Sequence, residues 1–214
     1  MKNLNLKRLV NALPVVLVVL VISWRGWKYF NQTQASRPDY EDPTATQTQP
    51  QLIQAGRSAP QSETWQVVPG SVYDGDTLRV QRGVQELKIR FCGIDAPEKK
   101  QPRGLESRDY LRSLIAKGDG SVMLTPIEKD RYGRTVAELF VRPRPGTGYQ
   151  PGEEIYLNGA MVQAGLAYHY ERYSGSCENR DAIATAEEIA QANGAGVWSD
   201  ANAMKPWEWR RAGR

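Results

Sequence analysis

A chain of 214 residues has room for one ordinary domain with appended segments and hardly for two full domains. Its 40% hydrophobic and 24% charged residues are those of a globular protein, and a net charge of +4 admits an anionic partner, nucleic acid or acidic lipid, without requiring one. Two cysteines, Cys92 and Cys177, are too few for a disulfide scaffold and lack partners at zinc-ligand spacing. Outside the cytosol they could form one disulfide; two separate small buried residues are the equal alternative.

The chain opens with a basic stretch, residues 1–8, carrying Lys2, Lys7 and Arg8. An apolar run follows over residues 9–24, and Trp24, Trp27, Arg25 and Lys28 flank its far end. Positive charge followed by an apolar core describes both a transmembrane signal anchor and a cleaved signal peptide. Bulky and charged residues after the core favour the anchor, whereas Thr33-Gln34-Ala35 offers a distant cleavage site. Either reading exports the remainder, because the positive flank tends to stay in the cytosol. The domain is therefore expected outside the cytosol, tethered to the cell membrane, or secreted or periplasmic after cleavage. Residues 25–63 become rich in Gln, Thr, Pro and Ser and read as a flexible linker.

The folded domain is expected over residues 64–200, with a Trp- and Arg-rich tail over 201–214. Residues 67–73 read as a strand and 78–80 as a second, with Arg82-Gly83 turning into a third over 85–94. In that third strand Leu87, Ile89 and Phe91 alternate with Lys88, Arg90 and Cys92, the period of a half-buried strand. Residues 104–116 read as a helix with Leu111, Leu114 and Ile115 on one face. Two strands follow at 121–127 and 135–141, then a short helix capped by Asn158 and ending at Gly165. A last helix runs from Asn179 to Asn193-Gly194. This order fits an α+β fold, a five-stranded barrel with about three helices beside it.

Three short motifs carry chemistry. In Asp74-Gly75-Asp76-Thr77 two carboxylates lie one residue apart in a turn, as when oxygens gather a hard cation, although a solvated turn has the same letters. Asp95-Ala96-Pro97-Glu98 follows the strand that carries Arg90, with proline fixing the backbone between its two acids. Asp130-Arg131-Tyr132-Gly133-Arg134 is a charged turn that contributes a second arginine. Two arginines and one divalent cation can neutralise a phosphodiester under attack by water, while a carboxylate orients that water or takes its proton. His169, the one histidine, has no ligand cluster around it. The ending Lys205-Pro206-Trp207-Glu208-Trp209-Arg210-Arg211 could touch nucleic acid or lipid; docking on its own domain is the preferred reading.

In this order, Tyr73-Asp74-Gly75-Asp76-Thr77-Leu78, Arg90 to Glu98, and Asp130 to Arg134 resemble the thermonuclease or staphylococcal-nuclease-like family. Asn158 to Ala167, Tyr168-His169-Tyr170 and Gly196-Val197-Trp198-Ser199 extend the likeness, which covers roughly residues 67–200. The resemblance implies an OB-fold barrel and a calcium-dependent endonuclease acting on DNA and RNA with little sequence preference and leaving 3′-phosphates. It implies Ca2+ ligation by Asp76, Asp95 and the carbonyl of Thr77, with Asp74 beside the metal. Arg90 and Arg134 would bind phosphate, Glu98 would act as general base, Tyr132 would hold a terminal phosphate, and Tyr168 and Tyr170 would flank a base. The loop after Glu98 is shorter than in the best-known member, and the Pro/Gly-rich segment 143–152 is longer. A monomer without protein partners is expected. The alternative is a catalytically silent OB-fold module that binds single-stranded nucleic acid or a protein.

Overall fold

The computed structural model describes residues 63–213. The expected basic segment and apolar anchor, and all of the linker but Glu63, lie outside the described residues. Among the described residues no helix is long and apolar enough to cross a membrane.

Strands β1 (Thr64–Val67), β2 (Thr77–Arg82) and β3 (Gln85–Phe91) form an antiparallel meander. Strands β5 (Ser121–Lys129) and β6 (Thr135–Val141) form a hairpin whose first strand pairs with β1. Parallel pairing of β3 with β6, through Ile89–Thr135 to Phe91–Ala137, closes the five strands into a barrel. Closure covers the edge of β3 over Ile89 to Phe91 and that of β6 over Thr135 to Ala137. Two short additions matter to the site. β4 (Ile94–Asp95) pairs with β8 (Tyr168–His169), so that Asp95 lies opposite Tyr168. β7 (Ile155–Tyr156) extends the sheet beyond β6.

The alternation in β3 holds through Phe91, with Ile89 and Phe91 buried and Lys88 exposed, but the strand ends there and Cys92, expected on the outward face, is buried in a disulfide. Ile89 and Phe91 meet Leu78, Val80, Val122, Leu124, Ala137 and Leu139 in the barrel core. Helix α1 (Gly104–Lys117) packs Leu111, Leu114 and Ile115 against this core, as its spacing requires. Helix α2 (Leu157–Gln163) is buried along its length, and α3 (Arg180–Ala192) buries Ile183, Ala186 and Ala190. A fourth helix, α4 (Pro206–Arg211), lies in the segment read from sequence only as a tail.

Two local expectations change. The first strand ends at Val67, and residues 68–76 turn instead of extending to Tyr73, because Asp74 folds back to accept the N–H groups of Asp76 and Thr77. Asn158 lies inside α2 and does not cap it. Its buried amide accepts the Leu139 N–H at 3.0 Å and donates to the Cys92 carbonyl at 2.9 Å, tying the helix to both closing strands. Glu138, fully buried on β6, accepts both the backbone N–H and the side-chain amide of Asn179. It thus places a carboxylate at the start of α3, where the helix dipole favours one.

Cys92 and Cys177 form a disulfide across 85 residues, with Cα atoms 5.9 Å apart. It fastens the segment before α3 to the end of β3. Breaking so long a loop should cost about 2–5 kcal/mol. Urea unfolding of Cys92→Ala/Cys177→Ala against the oxidised protein measures this, and coincident midpoints would assign the bridge no role in stability.

Candidate active site

The three motifs differ in how closely the fold brings them together. β2 and β3 are register partners at Thr77 and Arg90, which sets the first acidic turn beside the arginine of the next strand. The turn into β4 then swings Asp95 back towards both. Arg90 bridges the two loops: Nη1 lies 2.8 Å from Asp76 Oδ2 and Nη2 lies 2.9 Å from Asp95 Oδ1. The Ala96 N–H donates to Asp76 Oδ2 at 2.7 Å, a second tie between the loops. Thr77 Oγ1 donates to Asp76 Oδ1 at 3.0 Å. Asp74, Asp76, Thr77, Asp95 and Arg90 therefore form one cluster.

Gly75 is required here for space more than for backbone freedom. A Cβ on it would fall 1.8 Å from Ser107 Oγ on α1 and 2.9 Å from the Ala96 side chain. The loop of Glu98 is held in a similar way. Gly104 begins α1 so close to it that a Cβ would sit 2.0 Å from the Glu98 carbonyl oxygen. The short loop between them closes through Gln101 N–H to Glu98 O and Gly104 N–H to Gln101 O, at 2.8 and 2.9 Å. Glu98 is 36% exposed at its side chain while Asp95 is 1% exposed, so Glu98 faces water and Asp95 does not.

One participant was not anticipated. Arg210, from α4, donates to Asp95 Oδ2 at 2.7 Å, to Asp95 Oδ1 at 3.2 Å and to Glu98 Oε1 at 2.7 Å. The basic character of the tail was its one signal in the sequence.

Arg134 and Tyr132 are not joined to this cluster by any contact among the described residues. Arg134 Nε pairs with Asp130 Oδ2 of its own hairpin at 2.7 Å and lies over the exposed Tyr132 ring. Tyr168 is buried and Tyr170 half-buried, with Trp207 of α4 in contact with both rings. His169 faces Ser174 Oγ at 2.8 Å, and burial holds its pKa down.

The electrostatics bear on a cation. Four acids (Asp74, Asp76, Asp95, Glu98) face two guanidinium groups (Arg90, Arg210), an excess of two negative charges when all are ionised. Burial, then the charge of Asp76, raises Asp74 to about 7. The same two causes raise Asp95, against the lowering by Arg210 and Arg90. Among the described residues no three His, Cys, Asp or Glu side chains form a metal cage unaided. Two buried carboxylates, in a cluster whose four acids outnumber its two guanidinium groups, fit a hard divalent cation that keeps water among its ligands.

A family model described as staphylococcal nuclease homologue matches residues 88–200 of this chain. The chain belongs to that family. The chain is 37% identical over 143 residues to a protein named micrococcal nuclease from Shigella flexneri, covering 67% of this chain and 79% of that one. It is 37% identical over 140 residues to an uncharacterized endonuclease of Escherichia coli, covering 65% and 80% of the two chains. A protein named ParB from Escherichia coli is 33% identical over 153 residues, covering 70% and 83%. Arg90, Asp95, Glu98 and Arg134 fall within the segment that the family model matches; Asp74 and Asp76 precede it, and Arg210 follows it.

The raised pKa of Asp74 has a consequence for metal-free stability. In the folded protein Asp74 holds a proton up to about pH 7 that the unfolded chain releases near 3.8. This group's contribution to stability is therefore complete below 3.8 and is lost as pH rises towards 7. Asp74→Asn keeps the acceptor for the Asp76 and Thr77 N–H groups and removes the charge. In chelator at pH 8 it should be the more stable protein, by up to about 4 kcal/mol, with the difference vanishing near pH 4. Denaturant titrations across pH test this, and a pH-independent difference would contradict it.

Proposed function

We propose that the protein is a calcium-dependent nuclease that hydrolyses phosphodiester bonds of DNA and RNA with little sequence preference. The observation that carries this reading is the Asp76–Arg90–Asp95 bridge, an anionic buried cluster with Glu98 at its solvent side. Asp76, Asp95 and the carbonyl of Thr77 would hold the Ca2+, with Asp74 beside them. Bound there, the cation would supply Lewis-acid stabilisation of a phosphate oxygen and lower the pKa of water.

The chain's own groups divide the remaining work. Glu98 is part-exposed and carboxylate-tipped, suited to orient the attacking water or accept its proton. Arg90 has further N–H donors beyond those on Asp76 and Asp95, and these can meet the phosphate as charge builds on it. Arg134 would join from its hairpin by exchanging Asp130 for phosphate, with Tyr132 on the same turn at a terminal phosphate. Tyr168 is buried and Tyr170 is stacked on Trp207, so neither ring is open to a base while α4 is docked. Cleavage as an endonuclease leaving 3′-phosphates is part of this reading by likeness to the family. The protein is taken to act as a monomer.

We place the domain outside the cytosol, tethered by residues 9–24 or released after their cleavage. The basic-then-apolar start supports this, and so does the Cys92–Cys177 disulfide, a bond that persists in oxidising compartments.

The purified protein should degrade single-stranded DNA in calcium and stop in chelator. Glu98→Gln should lower kcat by about 10²–10⁴-fold with the fold intact. Strand binding without cleavage in any metal would return the domain to a silent binding module.

A further inference from the structure

The C-terminal segment grips one residue of the catalytic loop twice. The backbone N–H of Glu98 donates to Gln101 Oε1 at 3.1 Å, and Gln101 Nε2 donates to the carbonyl of Met204 at 2.5 Å. The Glu98 side chain accepts Arg210 Nη1 at 2.7 Å. The same guanidinium spans both oxygens of Asp95. A planar fork contacting two carboxylates fixes their separation and orientation together, which a lysine's point charge does not do.

Helix α4 is itself held in place, so Arg210 is delivered from a fixed base. Pro206 is buried at its start. The Trp207 ring lies parallel to Tyr170 at 4.7 Å and meets Tyr168 edge-on at 5.9 Å. Upstream, Arg103 of the loop before α1 bonds Ser199 Oγ at 2.9 Å. An isolated surface ion pair of this length would barely offset the entropy of holding two long side chains. Here the packing of the tryptophan has already ordered the helix.

Asp95 is held by β4 and by burial, and it also meets Arg90. The Glu98 backbone is held by Gln101, but its carboxylate has no such support: among the described residues Arg210 is its one hydrogen-bonding partner.

The geometry points to Arg210 as a positioning residue of the active site, holding the Glu98 carboxylate in a set relation to Asp95. The inference rests on the nuclease reading above and deepens it. Arg210 touches neither water nor phosphate in this role and acts through Glu98. The C-terminal helix is thereby a working part of the site.

The test uses the full-length protein, with Arg210→Gln, Glu98→Gln, the double variant and Arg210→Lys. Single-stranded DNA cleavage at saturating calcium gives kcat and KM, calorimetry gives calcium affinity, and thermal unfolding reports the fold. Arg210→Gln should lower kcat about 10–100-fold, while KM and calcium affinity change far less. If the arginine works through Glu98, the double variant should be no slower than Glu98→Gln alone. Arg210→Lys keeps a cation on the same helix and so guards against loss of the fold. It should recover part of the rate, because one ammonium cannot span both carboxylates. Undiminished cleavage by Arg210→Gln, or losses that multiply in the double variant, would overturn the inference while leaving the nuclease reading in place. A rise in both rate and calcium affinity would also overturn it, by making α4 a plug in the cation's place. Wild-type protein that fails to cleave in calcium would overturn the nuclease reading and the inference with it.

Discussion

Asp76, in the turn before β2, and Asp95, on β4, are removed from water, yet each is a charged group that costs free energy to bury unless it is compensated. Arg90 supplies part of that compensation by touching both. Much of the surrounding architecture follows from this constraint. The parallel closure of β3 on β6 seats Arg90 at the end of the barrel, and the turn into β4 returns Asp95 to it. Gly75 lets α1 pass within contact of the first acidic turn, and Gly104 lets the same helix clamp the loop of Glu98. The result is an acidic cluster whose groups are tied to one another by hydrogen bonds and ion pairs.

A buried ion pair of this kind is weak evidence for stability, since its desolvation offsets most of its Coulomb attraction. It is better evidence for function. Burial and the charge of Asp76 push both Asp74 and Asp95 towards the protonated form, so the cluster carries more acid than the fold finds comfortable. Relief can come from protons, from guanidinium groups or from a divalent cation. The fold brings together two guanidinium groups distant in sequence, Arg90 on the third strand and Arg210 on the last helix, and keeps the first acidic turn beside them.

Most of the architecture was legible in the sequence because its patterns are local. The alternation through β3, the apolar face of α1 and the Asn193-Gly194 stop all report short-range physics, and the elements fall within a few residues of expectation. Asn158 misled because an asparagine near a helix start reads as a cap, whereas this one serves two strands distant in sequence. The grouping of Asp74, Asp76, Thr77, Asp95 and Arg90 was legible because strand pairing keeps near neighbours near. Arg210 was not, since 112 residues separate it from Glu98 and no periodicity encodes that meeting. The pairing of Cys92 with Cys177 is a similar long-range fact, open in the sequence and settled by the fold. The tryptophans near the C-terminus were read as docking on their own domain, and the stacking of Trp207 on Tyr170 agrees.

The central claim is that the acidic cluster around Asp76 and Asp95 is a cation site. Calorimetric titration of calcium into the wild-type protein and into Asp95→Asn tests it most directly, because it reads the site without any substrate. The account predicts one calcium ion bound by the wild type and binding lost or greatly weakened in the variant. Equal binding by both proteins, or none by the wild type, would contradict it.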